Sequence, residues 1–235
     1  MHPSICEFVN RNYYNGGLDA VPLPHQQEPL AFGTRPDDDR WTAFVAGTRM
    51  AFISVQADEA EYYTKIESKQ EQTKLAQGLP NVGDSSKSNK REAETVARLI
   101  HTLCQLYSRS GIPFSPCKQI GIIVPFRAQI AMIRKALAER HIPDTADITI
   151  DTVERYQGSQ RDIIIFSTTV SRPYQLSILS EPVMTDGREI DRKLNVALTR
   201  ARKQFFMTGN ETLLRNCTAY RKFLDFLSKE QILRL

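Results

Sequence analysis

Apolar positions recur along this chain with two different periods, and its second half alternates between them. Val96, Leu99, Ile100 and Leu103 fall at i, i+3, i+4 and i+7, the spacing of one buried helix face, and predict a helix over 91–107. Ile120-Gly121-Ile122-Ile123-Val124 and Ile163-Ile164-Ile165-Phe166 are short apolar, largely β-branched runs instead, as expected of strands covered on both faces. The same reading places strands at 119–124, near 148–152, near 162–169 and at 204–208, and helices at 127–140, 190–201 and 219–229. Strands alternating with helices predict an α/β fold, a parallel sheet with helices on both faces. Upstream, Met50-Ala51-Phe52-Ile53-Ser54-Val55 reads as one more buried strand. Residues 1–45, with several prolines, Tyr13-Tyr14-Asn15-Gly16-Gly17 and Asp37-Asp38-Asp39, predict short helical pieces and loops around one strand-like patch. Between these regions the pattern breaks. Residues 57–88 are rich in Glu, Lys, Gln and Ser and run into Gly83-Asp84-Ser85-Ser86-Lys87-Ser88, which predicts a charged, partly flexible insertion without enough apolar surface to fold alone.

With 235 residues and 41% hydrophobic content, the chain can bury a substantial core. The net charge of +4 permits a polyanionic partner without demanding one, and its distribution says more. Residues 188–203 hold Arg188, Arg192, Lys193, Arg200, Arg202 and Lys203 against only Glu189 and Asp191, so a phosphate would be drawn there. The four cysteines are scattered, with no CxxC pair and no histidine at ligand spacing, which argues against both a zinc site and a disulfide framework. No apolar run approaches the ~18 residues of a membrane span, and the expected setting is cytoplasmic.

Three segments carry candidate chemistry. In Leu194-Asn195-Val196-Ala197-Leu198-Thr199-Arg200-Ala201-Arg202-Lys203 the core stripe is Leu194, Ala197, Leu198 and Ala201. At ~100° per residue, Arg200 and Lys193 then share one flank, while Arg202, Asn195 and Thr199 share the other. The two arginines point apart on this reading, so one of them is expected to enter a nucleotide site. Arginine suits phosphoryl transfer because its planar, permanently charged fork stabilises charge developing on a γ-phosphate. The second segment, Asp151–Asp162, is a polar turn following a strand: Gly158 would let the backbone approach a phosphate or ribose, and Thr152 offers a hydroxyl to a nucleic-acid backbone. The third, Val124-Pro125-Phe126-Arg127-Ala128-Gln129, opens a helix whose free N–H groups form an anion site, with Arg127 and Gln129 at hand.

Singly, each segment also reads as ordinary solvent-facing structure. In this order they resemble the later motifs of superfamily 1 helicases of the Upf1/Dna2-like group: motif IV at 121–129, motif V at 152–162 and motif VI at 194–202. Met1-His2-Pro3-Ser4-Ile5-Cys6-Glu7-Phe8 with Tyr14-Asn15-Gly16 resembles the segment joining the two motor domains of that family, and Asn89-Lys90-Arg91-Glu92-Ala93 its helix start. The resemblance covers nearly all of the chain except the insertion. It implies a RecA-like fold of the P-loop NTPase type, a single second motor domain over 1–235 that lacks a phosphate loop of its own. It also implies roles: Arg200 as arginine finger, Gly158, Gln160 and Lys193 by the nucleotide, and Thr152, Pro125, Arg127 and Gln129 on the strand. Gln160 stands where the family often has glutamate for the ribose.

The other half of such an active site is not found in the sequence. No glycine precedes Lys-Ser or Lys-Thr. Asp58-Glu59-Ala60 after Phe52–Val55 imitates a Walker B strand, but Gln56 interrupts it, and in the family the magnesium carboxylates precede the Met-His-Pro segment. No metal site is therefore expected. ATP and Mg²⁺ would be bound only on completion by a first RecA-like domain, in cis or in trans, with single-stranded DNA or RNA as the track. The chain is not expected to hydrolyse ATP alone. The competing reading is a stand-alone nucleic-acid or partner-binding module without ATPase activity.

Overall fold

The computed structural model describes residues 1–18, 23–30, 32–55, 87–156, 159–185 and 187–235. Its longer elements are α1 (Pro3–Tyr13), α2 (Arg40–Gly47), β1 (Met50–Ser54), α3 (Lys90–Arg109), β2 (Ile120–Val124), α4 (Arg127–Glu139), β3 (Thr149–Thr152) and β4 (Arg161–Ser167). They continue with β5 (Pro182–Thr185), β6 (Arg188–Asp191), α5 (Arg192–Thr199), β7 (Ala201–Gly209), α6 (Thr218–Phe226) and β8 (Ile232–Arg234). Six strands form one sheet in the order β3-β2-β4-β7-β1-β8, every neighbouring pair parallel, and β5 and β6 form a separate antiparallel hairpin.

The unbroken apolar runs are explained by helices on both sides. Successive strand residues point to opposite faces. Ala51, Ile53, Ile120, Ile122, Val124, Ile163, Ile165 and Phe206 therefore join a core with Trp41 of α2, α3 and α4. Met50, Phe52, Ile123, Ile164, Phe166, Phe205 and Met207 join a second core with α1, α5 and α6. This is the α/β architecture that the periodicity predicts, and it fits the RecA-like fold that the resemblance implies. Asn89 caps α3 by accepting from Glu92 N at 3.1 Å, and Trp41 Nε1 donates to Thr102 Oγ1 at 2.8 Å, fixing α2 against α3.

Gly121 is dictated by its neighbour across the second core. A Cβ there would stand 1.9 Å from Tyr156 Oη and 2.8 Å from Cζ, and Tyr156 is buried. Gly121→Ala is expected to destabilise by about 1–3 kcal/mol through overpacking. Thermal melts check this, and adding Tyr156→Phe should recover only part of the loss, because the ring carbon stays too close. An undiminished melting temperature in the single variant would show that Tyr156 does not pack over β2.

Several boundaries differ from the sequence expectation. The expected helix at 190–201 starts at Arg192 and stops at Thr199; Arg188–Asp191 is strand, and β7 begins at Ala201 rather than 204. No described residue before Met50 is in a strand, and α1 takes up eleven residues of that region. Of the expected insertion at 57–88, residues 57–86, including Asp58 and Glu59, lie outside the described residues.

Candidate functional site

Because the sheet is wholly parallel, all strand carboxyl ends lie along one edge and all amino ends along the other. The expected site residues divide between these two edges.

At the amino edge, β4 and β7 start side by side, with Arg161 paired to Ala201 and Arg161 N donating to Arg200 O at 3.1 Å. Arg200 caps the end of α5, where its Nη2 reaches Thr199 Oγ1 at 3.3 Å while its Nε is buried without a hydrogen-bond partner. Arg200 as a whole is half-buried rather than sealed in the interior. Gln160 is exposed beside it, its Oε1 accepting from Arg202 Nε at 3.4 Å. Arg202 O accepts from His2 N at 2.8 Å, so Met1-His2-Pro3 is anchored at this edge too. Burial and the nearby Arg49 hold the His2 imidazole down to about 4, which keeps it neutral and able to accept from Ser4 N at 3.1 Å. Gly158 lies outside the described residues.

Arg202 requires a correction. It is a strand residue rather than a helical one, so its divergence from Arg200 comes from the change of element after Thr199, not from helical phase. The flank assigned to Asn195 is occupied by the end of α1: Asn195 Nδ2 donates to Tyr14 Oη at 3.2 Å, and Arg188 Nη2 donates to Asn15 Oδ1 at 2.5 Å. Leu194, Ala197, Leu198 and Ala201 are all fully buried, as the stripe predicts.

Lys193 is also corrected. Seven residues along α5 separate it from Arg200, about 10 Å of rise, and α5 runs back across the sheet before β7. Its ammonium therefore sits at the carboxyl edge, donating to Ile178 O at 2.8 Å and pairing with Glu154 at 3.2 Å. It shares a flank with Arg200 but not an edge of the sheet. The start of α5 is fixed by fully buried Asp191, which accepts from Leu194 N at 2.7 Å, Glu181 N at 2.9 Å and Ser180 Oγ.

The carboxyl edge also holds Thr152, half-buried at the end of β3, half-buried Pro125 and exposed Arg127. No side chain caps the first turn of α4. Gln129 departs from the expectation: it is fully buried, its Oε1 accepting from Asn89 N at 2.7 Å and its Nε2 donating to Asn89 O at 3.1 Å and Ser167 Oγ at 3.3 Å. With no exposed surface it serves the interior, not a bound strand.

Gln129 belongs to a network centred on Glu92, whose role sequence reasoning missed. The Glu92 carboxylate is fully buried and accepts from Ser167 Oγ at 2.8 Å, Thr169 N at 3.0 Å, Thr208 Oγ1 at 3.1 Å and Asn89 Nδ2 at 3.3 Å. Burial pushes its acid up to about 7 although the hydrogen bonds pull the other way. Thr169 has φ 62, a left-handed conformation that a β-branched residue seldom adopts, and Glu92 is what grips its N–H. Among the described residues there is no cluster of His, Cys, Asp or Glu able to hold a metal, and no helix long and apolar enough to cross a membrane.

A family model described as an AAA domain matches residues 1–212. The helicase MOV-10 of Gallus gallus is 32% identical over 60% of this chain, and DNA polymerase alpha-associated DNA helicase A of Saccharomyces cerevisiae is 28% identical over 92%. The Regulator of nonsense transcripts 1 homolog of Arabidopsis thaliana is 28% identical over 91%. The matched parts span only 15%, 27% and 14% of those three relatives, in that order. The fold and these matches agree, and the chain belongs to the AAA-domain family, as a helicase domain of the superfamily 1, Upf1/Dna2-like group.

Proposed function

We propose that this chain is the C-terminal motor domain of an ATP-dependent superfamily 1 helicase, a single RecA-like domain over 1–235 that works opposite a first domain carrying the phosphate loop and the magnesium carboxylates. The observation that supports this best is the division of its candidate residues. Arg200 and Gln160 stand at the amino edge, and Thr152, Pro125 and Arg127 at the carboxyl edge. A domain so built can face a nucleotide with one edge and a single strand of DNA or RNA with the other. ATP supplies the phosphoryl group whose transfer to water drives movement. This chain's part is to present the half-buried Arg200 guanidinium to the γ-phosphate, with Gln160 and Gly158 beside the nucleotide. Lys193, tied to Glu154 and Ile178, holds the motif V turn in place instead of touching nucleotide. The cysteines of the chain are free thiols, which suits a reducing, cytoplasmic setting.

The test is ATP turnover in the presence of single-stranded DNA or RNA, for the chain alone and for the chain joined to or mixed with a first RecA-like domain. Turnover stimulated by the strand is expected only in the combination. Absence of turnover in every combination, with strand binding retained, would establish the binding-module reading instead.

A further inference from the structure

The loop that leaves β4 at the carboxyl edge is held more firmly than its exposure requires. Its base is the left-handed Thr169, gripped by buried Glu92. Its tip is held by Gln175, which is 1% exposed and whose Oε1 accepts from Ser171 N and Arg172 N, both at 2.8 Å. What this scaffold presents outward is Tyr174, 55% exposed, next to Arg172, whose guanidinium pairs with no described carboxylate. Pro173 between them stiffens the step. A large exposed aromatic on a mobile loop would be unremarkable, but one on a loop held at its base by Glu92 and folded on itself around buried Gln175 is pre-organised for contact. The same loop leads into Ile178, whose carbonyl shares the Lys193 ammonium with Glu154 of the Thr152 turn. Tyr174 therefore stands on the same ledge as the residues assigned to the strand.

We propose that Tyr174 and Arg172 form a binding step for single-stranded nucleic acid, Tyr174 stacking on a base and Arg172 holding a neighbouring phosphate, with Glu92 and Gln175 as the positioning residues behind them. This rests on the strand-binding reading of the carboxyl edge. An aromatic face and a cation are the two components that sequence-tolerant single-strand sites combine. DNA and RNA share both features, so the site by itself does not choose between them.

Fluorescence anisotropy of the whole chain with labelled oligothymidylate, oligouridylate and a matched strand carrying abasic positions tests the proposal. Tyr174→Ala is expected to weaken binding to the base-bearing strands about tenfold and to abolish the preference over the abasic strand, while Tyr174→Phe recovers most of the affinity. Arg172→Ala should lower the slope of log affinity against log salt by about 1. Tyr174 is exposed, so a thermal melt should not move. Unchanged affinity in Tyr174→Ala overturns the proposal; if Arg127→Ala still weakens binding, the strand-edge reading survives without it. Absence of binding to any strand by the unaltered chain overturns that reading, and this site with it.

Discussion

Alanine in place of Arg200 is expected to lower ATP turnover by about 10³- to 10⁵-fold once the chain is completed by a first RecA-like domain, with strand affinity unchanged. The size follows from the role proposed for the guanidinium. Charge spreads over the equatorial oxygens of the transferring phosphoryl group, and a preorganised cation in a closed cleft stabilises it without reorganising. Arg200 is half-buried, and the hydrogen bond from its Nη2 to Thr199 is long, at 3.3 Å, which leaves the guanidinium loosely committed among the described residues. Arg200→Lys should not rescue turnover, because an ammonium restores the charge but not the planar fork. The unchanged strand affinity follows from position, since Arg200 is at the amino edge, next to Arg161 and Ala201, while the residues proposed to hold the strand lie at the other. Removing it should not destabilise the fold either, because it satisfies almost nothing there. Turnover within a few-fold of the unaltered protein would show that another cation serves the γ-phosphate. A parallel loss of strand affinity would show that the two edges are not separate.

The sheet and its two helical layers were legible because their signal is local. Val96, Leu99, Ile100 and Leu103 are all fully buried, as are Ile163 through Phe166, and neither pattern needs knowledge of distant residues. The stripe of α5 was legible for the same reason. Its end was not: Ala201 continues the apolar periodicity, yet it pairs with Arg161, and that partner is 40 residues upstream. Lys193 shows the limit of a helical-wheel argument, which gives direction around an axis and nothing about position along it. The Asn89-x-x-Glu92 spacing reads as a capping pair, and a cap is ordinarily at the surface. Nothing local indicates that Ser167, Thr169 and Thr208, between 75 and 116 residues away, close over that carboxylate.

At about pH 5, where its acid is still protonated, Glu92→Ala is expected to destabilise the chain by about 3–5 kcal/mol, and Glu92→Gln to remove a pH dependence that the unaltered chain carries. The alanine variant leaves Thr169 N buried without an acceptor, and Thr169 is then no longer held at φ 62. At about 2–4 °C per kcal/mol for a chain of this size, the melting temperature should fall by about 10 °C. The pH effect has a definite sign. Burial raises the Glu92 acid from its ordinary 4.5 to about 7, so the folded protein keeps a proton that the unfolded chain has released. Stability from this group is therefore fully present below about 4.5, declines as pH rises, and is gone above about 7, a change of roughly 3 kcal/mol in all. Glutamine cannot titrate, and every other group is common to both proteins. The stability advantage of the unaltered chain over Glu92→Gln should thus shrink by roughly 2.5 kcal/mol between about pH 5 and about pH 8, measured by denaturant unfolding across that range. A difference that stays constant with pH would mean that the donors from Asn89, Ser167, Thr169 and Thr208 outweigh burial, and that Glu92 holds the loop as a permanent carboxylate.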